Sequence, residues 1–233
     1  MRIVVNHVTR MKPPRICLAG VDMQSLEHVR PTTSASDPIT RELLHEEGGP
    51  FEMGAVVELG YTRAIPTPPE TEDHRFRTTN ARFVEPMAGD EFLALLELIS
   101  SPDLSSAFGP ALERLQRNYA VERGSGDRSL AVMRAPKRCE LEVDRYGKLR
   151  LQMDAPDVQA NVSVTDIRFY REDQKTLRDR VVQSVSLRLK RGVGAFLMLG
   201  LARAYRARDD DRHRHWLQLN GLCLVDRPTG DTP

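Results

Sequence analysis

Apolar residues recur along this chain in short runs, and over most of its length their spacing is two, the period of a half-buried strand. Arg2 to Thr9 (RIVVNHVT) reads as a strand. After the break at Lys12-Pro13-Pro14 a second apolar run, Ile16 to Val21, completes a hairpin signature. His28-Val29-Arg30-Pro31 is extended, because the residue before a proline is pushed out of helical geometry. Thr40 to Glu47 reads as a short helix stopped by Gly48-Gly49, and Ala55 to Leu59 as a strand. The acidic, proline-rich Ile65 to Asp73 (IPTPPETED) reads as an exposed loop. From Gly89 the period changes: Phe92, Leu95, Leu96 and Ile99 share a helical face, acids occupy the first turn, and Pro102 ends the run. Ser106 to Tyr119, with Phe108, Leu112 and Leu115 on one side, predicts a second helix.

Glu122 to Asp127 (ERGSGD) sets glycine and serine between charges with nothing apolar to bury, which marks a linker. The strand period then restarts at Leu130 to Met133 and Cys139 to Val143, turns at Tyr146-Gly147, and continues at Leu149 to Met153. Asn161 to Tyr170 predicts a strand with a slip near Asp166. Gln174 to Lys190 carries Leu177, Val181, Val185 and Leu189 at helical spacing, although VSLRLK alone alternates; we read a helix. Gly194 to Leu201 is a buried strand, and His215 to Val225 closes the chain's β pattern. Both halves repeat one grammar of short strands with an inserted helix, and Pro-x-x-Cys follows a strand in each (Pro14 to Cys17, Pro136 to Cys139). The expected fold is mainly β with α insertions: two tandem OB-like β-barrels, residues 1–123 and 127–233, a grammar whose open face and loops bind oligonucleotides or oligosaccharides.

Composition narrows the function classes. With 233 residues and 40% hydrophobic side chains the chain can build real cores. It has no apolar run of about 18 residues, and its start lacks the apolar stretch of a secretory signal, so a cytoplasmic protein with no membrane partner is expected. Cys17, Cys139 and Cys223 sit far apart in apolar runs and read as reduced core residues. The net charge of +1 hides an asymmetry. Residues 1–122 hold 12 basic and 18 acidic side chains, or −6, and residues 123–233 hold 22 and 15, or +7. The basic half is therefore the expected polyanion-facing one. Only five of the 34 cations are lysine, and arginine suits bidentate phosphate contacts; a GC-rich genome gives the same bias.

Catalytic patterns are missing: there is no glycine-bounded nucleophile, no GxGxxG and no P-loop, so no catalytic residue and no cofactor is assigned. His213 and His215 are the one close pair of metal-ligand candidates; the acidic runs Asp209-Asp210-Asp211 and Glu70, Glu72, Asp73 beside His74 read as solvated loops, and no metal site is assigned. Two groups remain for anion binding. In the first half His7, Thr9, Arg10 and Arg30, with Asn6, fall at strand ends where a barrel mouth gathers them; the alternative puts His7 and Thr9 on the solvent face of an edge strand. In the second half Arg168, Tyr170, Arg203, His215 and Trp216, with Tyr205, combine cations with aromatics, the mixture that stacks bases and neutralises phosphates; the alternative puts Trp216 in the core.

The segments VNHVTRM, PRICLAGVD, HVRPTT, PFEMGAVVELG, GKLRLQMD, VSVTDIRFY, GLARAY and HWLQLNGL, scattered over nearly the whole chain, resemble the dual OB-fold domain family of prokaryotes. The resemblance implies two tandem OB-like barrels and a role in nucleic-acid binding, in connection with prokaryotic conflict systems, without an established catalytic set. Arg203-Ala204 stands where the family is expected to carry Arg-Pro, and the charged RARDDDRHRH follows. The expected function is nucleic-acid or nucleotide binding without catalysis. The alternatives are a nucleic-acid-processing enzyme and a protein-interaction module with a protein partner.

Overall fold

The computed structural model describes residues 1–156, 158–207 and 210–228. Their strands form two sheets. The first contains β1 (Arg2–Arg10), β2 (Ile16–Asp22), β3 (His28–Thr32), β4 (Ala55–Glu58), β5 (Arg63–Ala64), β6 (Asp73–Arg75) and β7 (Arg82–Pro86), in the order β5-β6-β3-β2-β1-β4-β7. Helix α1 (Gly89–Leu98) leads out of it. The second sheet follows with β8 (Ser100–Ser101), helix α2 (Leu104–Phe108), β9 (Glu113–Leu115), β10 (Asn118–Glu122), β11 (Leu130–Arg134), β12 (Cys139–Val143), β13 (Leu149–Ala155), β14 (Val158–Val164), helix α3 (Asp179–Lys190), β15 (Ala195–Leu201), β16 (Tyr205–Arg206) and β17 (His213–Leu224). Its order is β12-β13-β14-β17-β15-β11-β8, and β10 and β16 also pair with β17. No described helix is long and apolar enough to cross a membrane.

Several expectations are corrected. The helix expected over Ser106 to Tyr119 ends at Phe108, because Gly109 takes a φ of 74° and Pro110 follows; the rest forms the β9–β10 hairpin, captured by pairing Ala120 against Trp216. Thr40 to Glu47 forms two single 3₁₀ turns, Arg41–Leu43 and His45–Glu47. The helix expected from Gln174 starts at Asp179, since Leu177 is held by a bridge to Tyr170. Residues 123–125 are an exposed turn, but β10 and β11 on either side of it belong to the same sheet; sheet membership changes across α1. Within Ile65 to Asp73, expected to be exposed, Glu70, Glu72 and Asp73 are buried because each carboxylate is bonded by donors from elsewhere in the fold.

Each sheet encloses its own apolar core. Ile3, Val5, Val8, Leu18, Phe51 and Val57 fill the first; Leu149, Leu151, Val162, Phe169, Leu197 and Leu219 belong to the second. A third cluster joins them: Val4, Met53 and Val56 meet Val132, Phe196, Met198 and Cys223 beneath Phe92 and Leu96 of α1. Full burial of side chains of this size contributes roughly 1.5–3 kcal/mol each, so the sheets are held together by a core of their own.

Two phase breaks aim polar residues at this junction. In β1 the first-core residues are Ile3 and Val5, then Val8, because the register against β2 slips between Val5 and His7 and leaves Asn6 unopposed. In β17 the second-core residues are Leu217 and Leu219, then Leu222 and Leu224, and the slip against β15 falls at Asn220. A one-residue bulge sends the following side chains to the opposite face. Thus His7 and Thr9 leave the first core's face and turn toward the junction. Gly221 permits the crossing: a Cβ there would stand 2.9 Å from Met198 Cε, 3.0 Å from Met53 Cε and 3.1 Å from the Asn6 carbonyl oxygen.

Candidate anion-binding site between the sheets

A cavity of about 510 Å³ lies between β1, β2 and β3 on one side and the end of β15 and the middle of β17 on the other. Its deep wall includes buried His7, Thr9, Ile16, Arg30, Leu201 and Asn220. Its exposed lining residues, Met11, Lys12, Arg15, Ser34, Ala35 and Arg203, mark the mouth. Arg10, Lys12, Arg15, Arg30 and Arg203 contribute five cations to the wall, and no carboxylate lines it. Thr9, Thr32, Thr33 and Ser34 add hydroxyls.

The carboxylates lie behind the wall. Arg30 Nε donates to Asp73 Oδ1 at 2.6 Å, and their side chains are 5% and 8% exposed. Asp73 also accepts from Arg203 Nη2 at 2.7 Å, and Arg203 Nη1 lies 3.1 Å from Glu70. His215 Nδ1 lies 3.3 Å from the same Glu70 oxygen and 3.0 Å from the Ala202 carbonyl. Burial pushes the Glu70 carboxyl up, but the His215 hydrogen bond and the charges of Arg203, His215 and Arg30 together hold it below its usual range. Glu72 accepts from the Ser129 and Leu130 amides and the Ser129 hydroxyl, pinning the first sheet's loop to the start of β11. These acids fix the arginines while leaving the cavity wall positive. Yet Arg30 Nη2, Thr32 Oγ1 and Arg10 Nε are buried without a hydrogen-bond partner, and a buried donor left unmade costs about 1–3 kcal/mol.

His7 is neutral. Burial, the neighbouring His28 and Arg30 hold its pKa well below the usual value despite a bond to the Leu199 carbonyl. Its Nδ1 lies 2.7 Å from Asn6 Oδ1 and its Nε2 3.3 Å from the Leu199 carbonyl, so the ring ties β1 to β15.

Of the nine residues singled out in the sequence, His7, Thr9, Arg10, Arg30 and Arg203 come together in this wall. Tyr170 stands beside them: the Arg10 guanidinium stacks 4.1 Å over its ring while its hydroxyl donates to the Val164 carbonyl. His215 sits one layer behind, through Glu70. Arg168 is directed elsewhere, donating to buried Asp166 and to the Leu222 carbonyl just past the β17 bulge. Trp216 lines a separate hollow of about 810 Å³ with Arg114, Arg117, Arg150 and Arg214, and Tyr205 lies 6.4 Å away. Asp209 of the acidic run lies outside the described residues.

Sequence reasoning missed Lys12, Arg15, Thr32, Thr33 and Ser34. The signal was available in HVRPTTS, where Arg30 and Thr32 alternate onto one side of β3. Among the described residues no group of three His, Cys, Asp or Glu could hold a metal ion. The three cysteines are free; burial pushes Cys139 up to about 12 and Cys223 to about 11, which makes both poor nucleophiles.

A family model described as the dual OB-containing domain matches residues 1–222, a span that holds the entire cavity wall. The comparison with curated proteins finds no match.

Proposed function

Since the chain belongs to the dual OB-containing domain family, we propose that it is a binding module for nucleic acid or nucleotides, with each sheet acting as one OB-like barrel and the ligand seated between them. The observation that carries this reading is a concave wall with five cations, four hydroxyls and no carboxylate. Arginine with hydroxyl donors is the set that grips phosphate oxygens. OB-type sheets present their strands and loops to oligonucleotides. The reading is of binding without catalysis: the ring nitrogens of the buried cavity histidine lie beside Asn6 and the Leu199 carbonyl, not beside a group that the ring could activate, and no carboxylate lines the cavity to orient a base.

The test is a fluorescence-polarisation panel of single- and double-stranded DNA and RNA at two salt concentrations. Single strands should bind, and affinity should fall as salt rises, with a log–log slope of about 0.7 per phosphate contact. Absence of binding at low salt, where nonspecific attraction is strongest, to every oligonucleotide and to mononucleotides titrated in the same buffer overturns the proposal.

A further inference from the structure

Resting on that reading, we infer that the inter-sheet cavity takes a terminal phosphate, the phosphomonoester of a nucleotide or of a strand end, and not an internal phosphodiester. The unpartnered donors lie deep: Arg30, whose side chain is 5% exposed, lines the cavity with Nη2 unbonded, and Thr32, two residues along the same side of β3, has Oγ1 unbonded. The exposed cations, Lys12 and Arg15 on one side and Arg203 on the other, sit at the mouth. The opposite sides of the cavity come from different sheets, and the Arg30 side chain is 5% exposed while the mouth residues are exposed, so a group that reaches Arg30 lies well below the mouth. A phosphodiester carries chain on both sides and needs two exits from whatever site holds it. A phosphomonoester needs one, and it brings a charge between −1.5 and −2 at neutral pH to a wall of five cations. A volume of about 510 Å³ falls in the range of sites that enclose small organic ligands, so a sugar and base can follow the phosphate inward.

The experiment uses the full chain and one short single-stranded DNA sequence in three forms: 5′-phosphorylated, 3′-phosphorylated and hydroxyl-ended. Adenosine monophosphate and adenosine are titrated alongside. The inference expects at least tenfold tighter binding of a phosphorylated end than of the hydroxyl-ended strand, or of the monophosphate than of the nucleoside. Preference confined to the mononucleotide identifies a free nucleotide as the source; preference confined to a strand identifies its end. Thr32→Val, which removes one hydroxyl at nearly constant volume, and Arg15→Ala, at an exposed position, should each shrink the preference severalfold with unchanged circular dichroism. Arg30→Gln should abolish it, and if that variant fails to fold the other two decide. Equal affinity for phosphorylated and hydroxyl ends overturns the terminal-phosphate inference and leaves the binding proposal standing. No binding of any strand or nucleotide overturns both.

Discussion

Asp73 carries more of the site's organisation than any charge on its surface, because it holds Arg30 and Arg203 at once from behind the cavity wall. Asp73→Asn keeps the shape and removes the charge, leaving buried Arg30 without its directly bonded carboxylate and with only the charge of Glu70 nearby. Breaking a buried pair on one side costs about 3–5 kcal/mol, so urea denaturation should show a loss of that order, and a loss under about 1 kcal/mol would contradict the buried-pair account. At this scale the sequence was partly legible. Arg30 and Arg203 were visible as cations beside strands, but the run around Glu70 to Asp73 looks like any solvated acidic loop until a fold brings Arg30, Arg203, His215 and Ser129 to it. Trp216 and Arg168 were equally visible, yet strand direction sends one to another hollow and a local bond to Asp166 claims the other.

The elements were legible where period two held, as in β12 and β13, and where a short apolar run was bounded by breaks, as in β2 and β15. The stretch after Phe108 misled because Leu112 and Leu115 fit a helical face as well as an extended one, and its pairing with β17, about a hundred residues away, lies outside any local window. The bulges at Asn6 and Asn220 were readable in principle: in RIVVNHV and LQLNGLCL the apolar phase reverses at the asparagine. They matter because they turn polar side chains toward the junction. Gly221→Ala tests that crossing. Its methyl would meet the flexible ends of Met198 and Met53, which can swing aside, and the fixed Asn6 carbonyl oxygen, so the cost is about 1 kcal/mol, the low end for overpacking. Thermal melting should show the loss, together with weaker ligand binding if the two strands separate; an unchanged melting temperature would contradict the close approach.

For the whole molecule, net charge by halves does not locate the inter-sheet cavity. Four of the five cavity cations come from the acidic half, whose carboxylates at 70, 72 and 73 are buried in bonds and do not cancel them at the wall. The junction also has a pH signature. Burial lowers His28 to about 4, with Arg128 adding to the shift, and holds His7 well below its usual 6.5. The unfolded chain takes up these protons near 6.5 while the folded chain does not, so stability is full above that pH and falls as pH drops toward 4. Each histidine contributes a slope of about 1.4 kcal/mol per pH unit once its unfolded form is protonated. Denaturation midpoints should fall between pH 7 and pH 5, and His28→Gln should flatten the fall; a flat wild-type profile would show both rings to be solvated.

Hydrogen exchange of the full chain, with and without a saturating single-stranded oligonucleotide, tests the central claim most directly. The account predicts ligand-dependent protection at residues 9–16, 28–34 and 201–203, the segments that wall the cavity, with little change at 114–119. Protection confined to 114–119 and the strand around Trp216, with the inter-sheet segments exchanging as before, would contradict it.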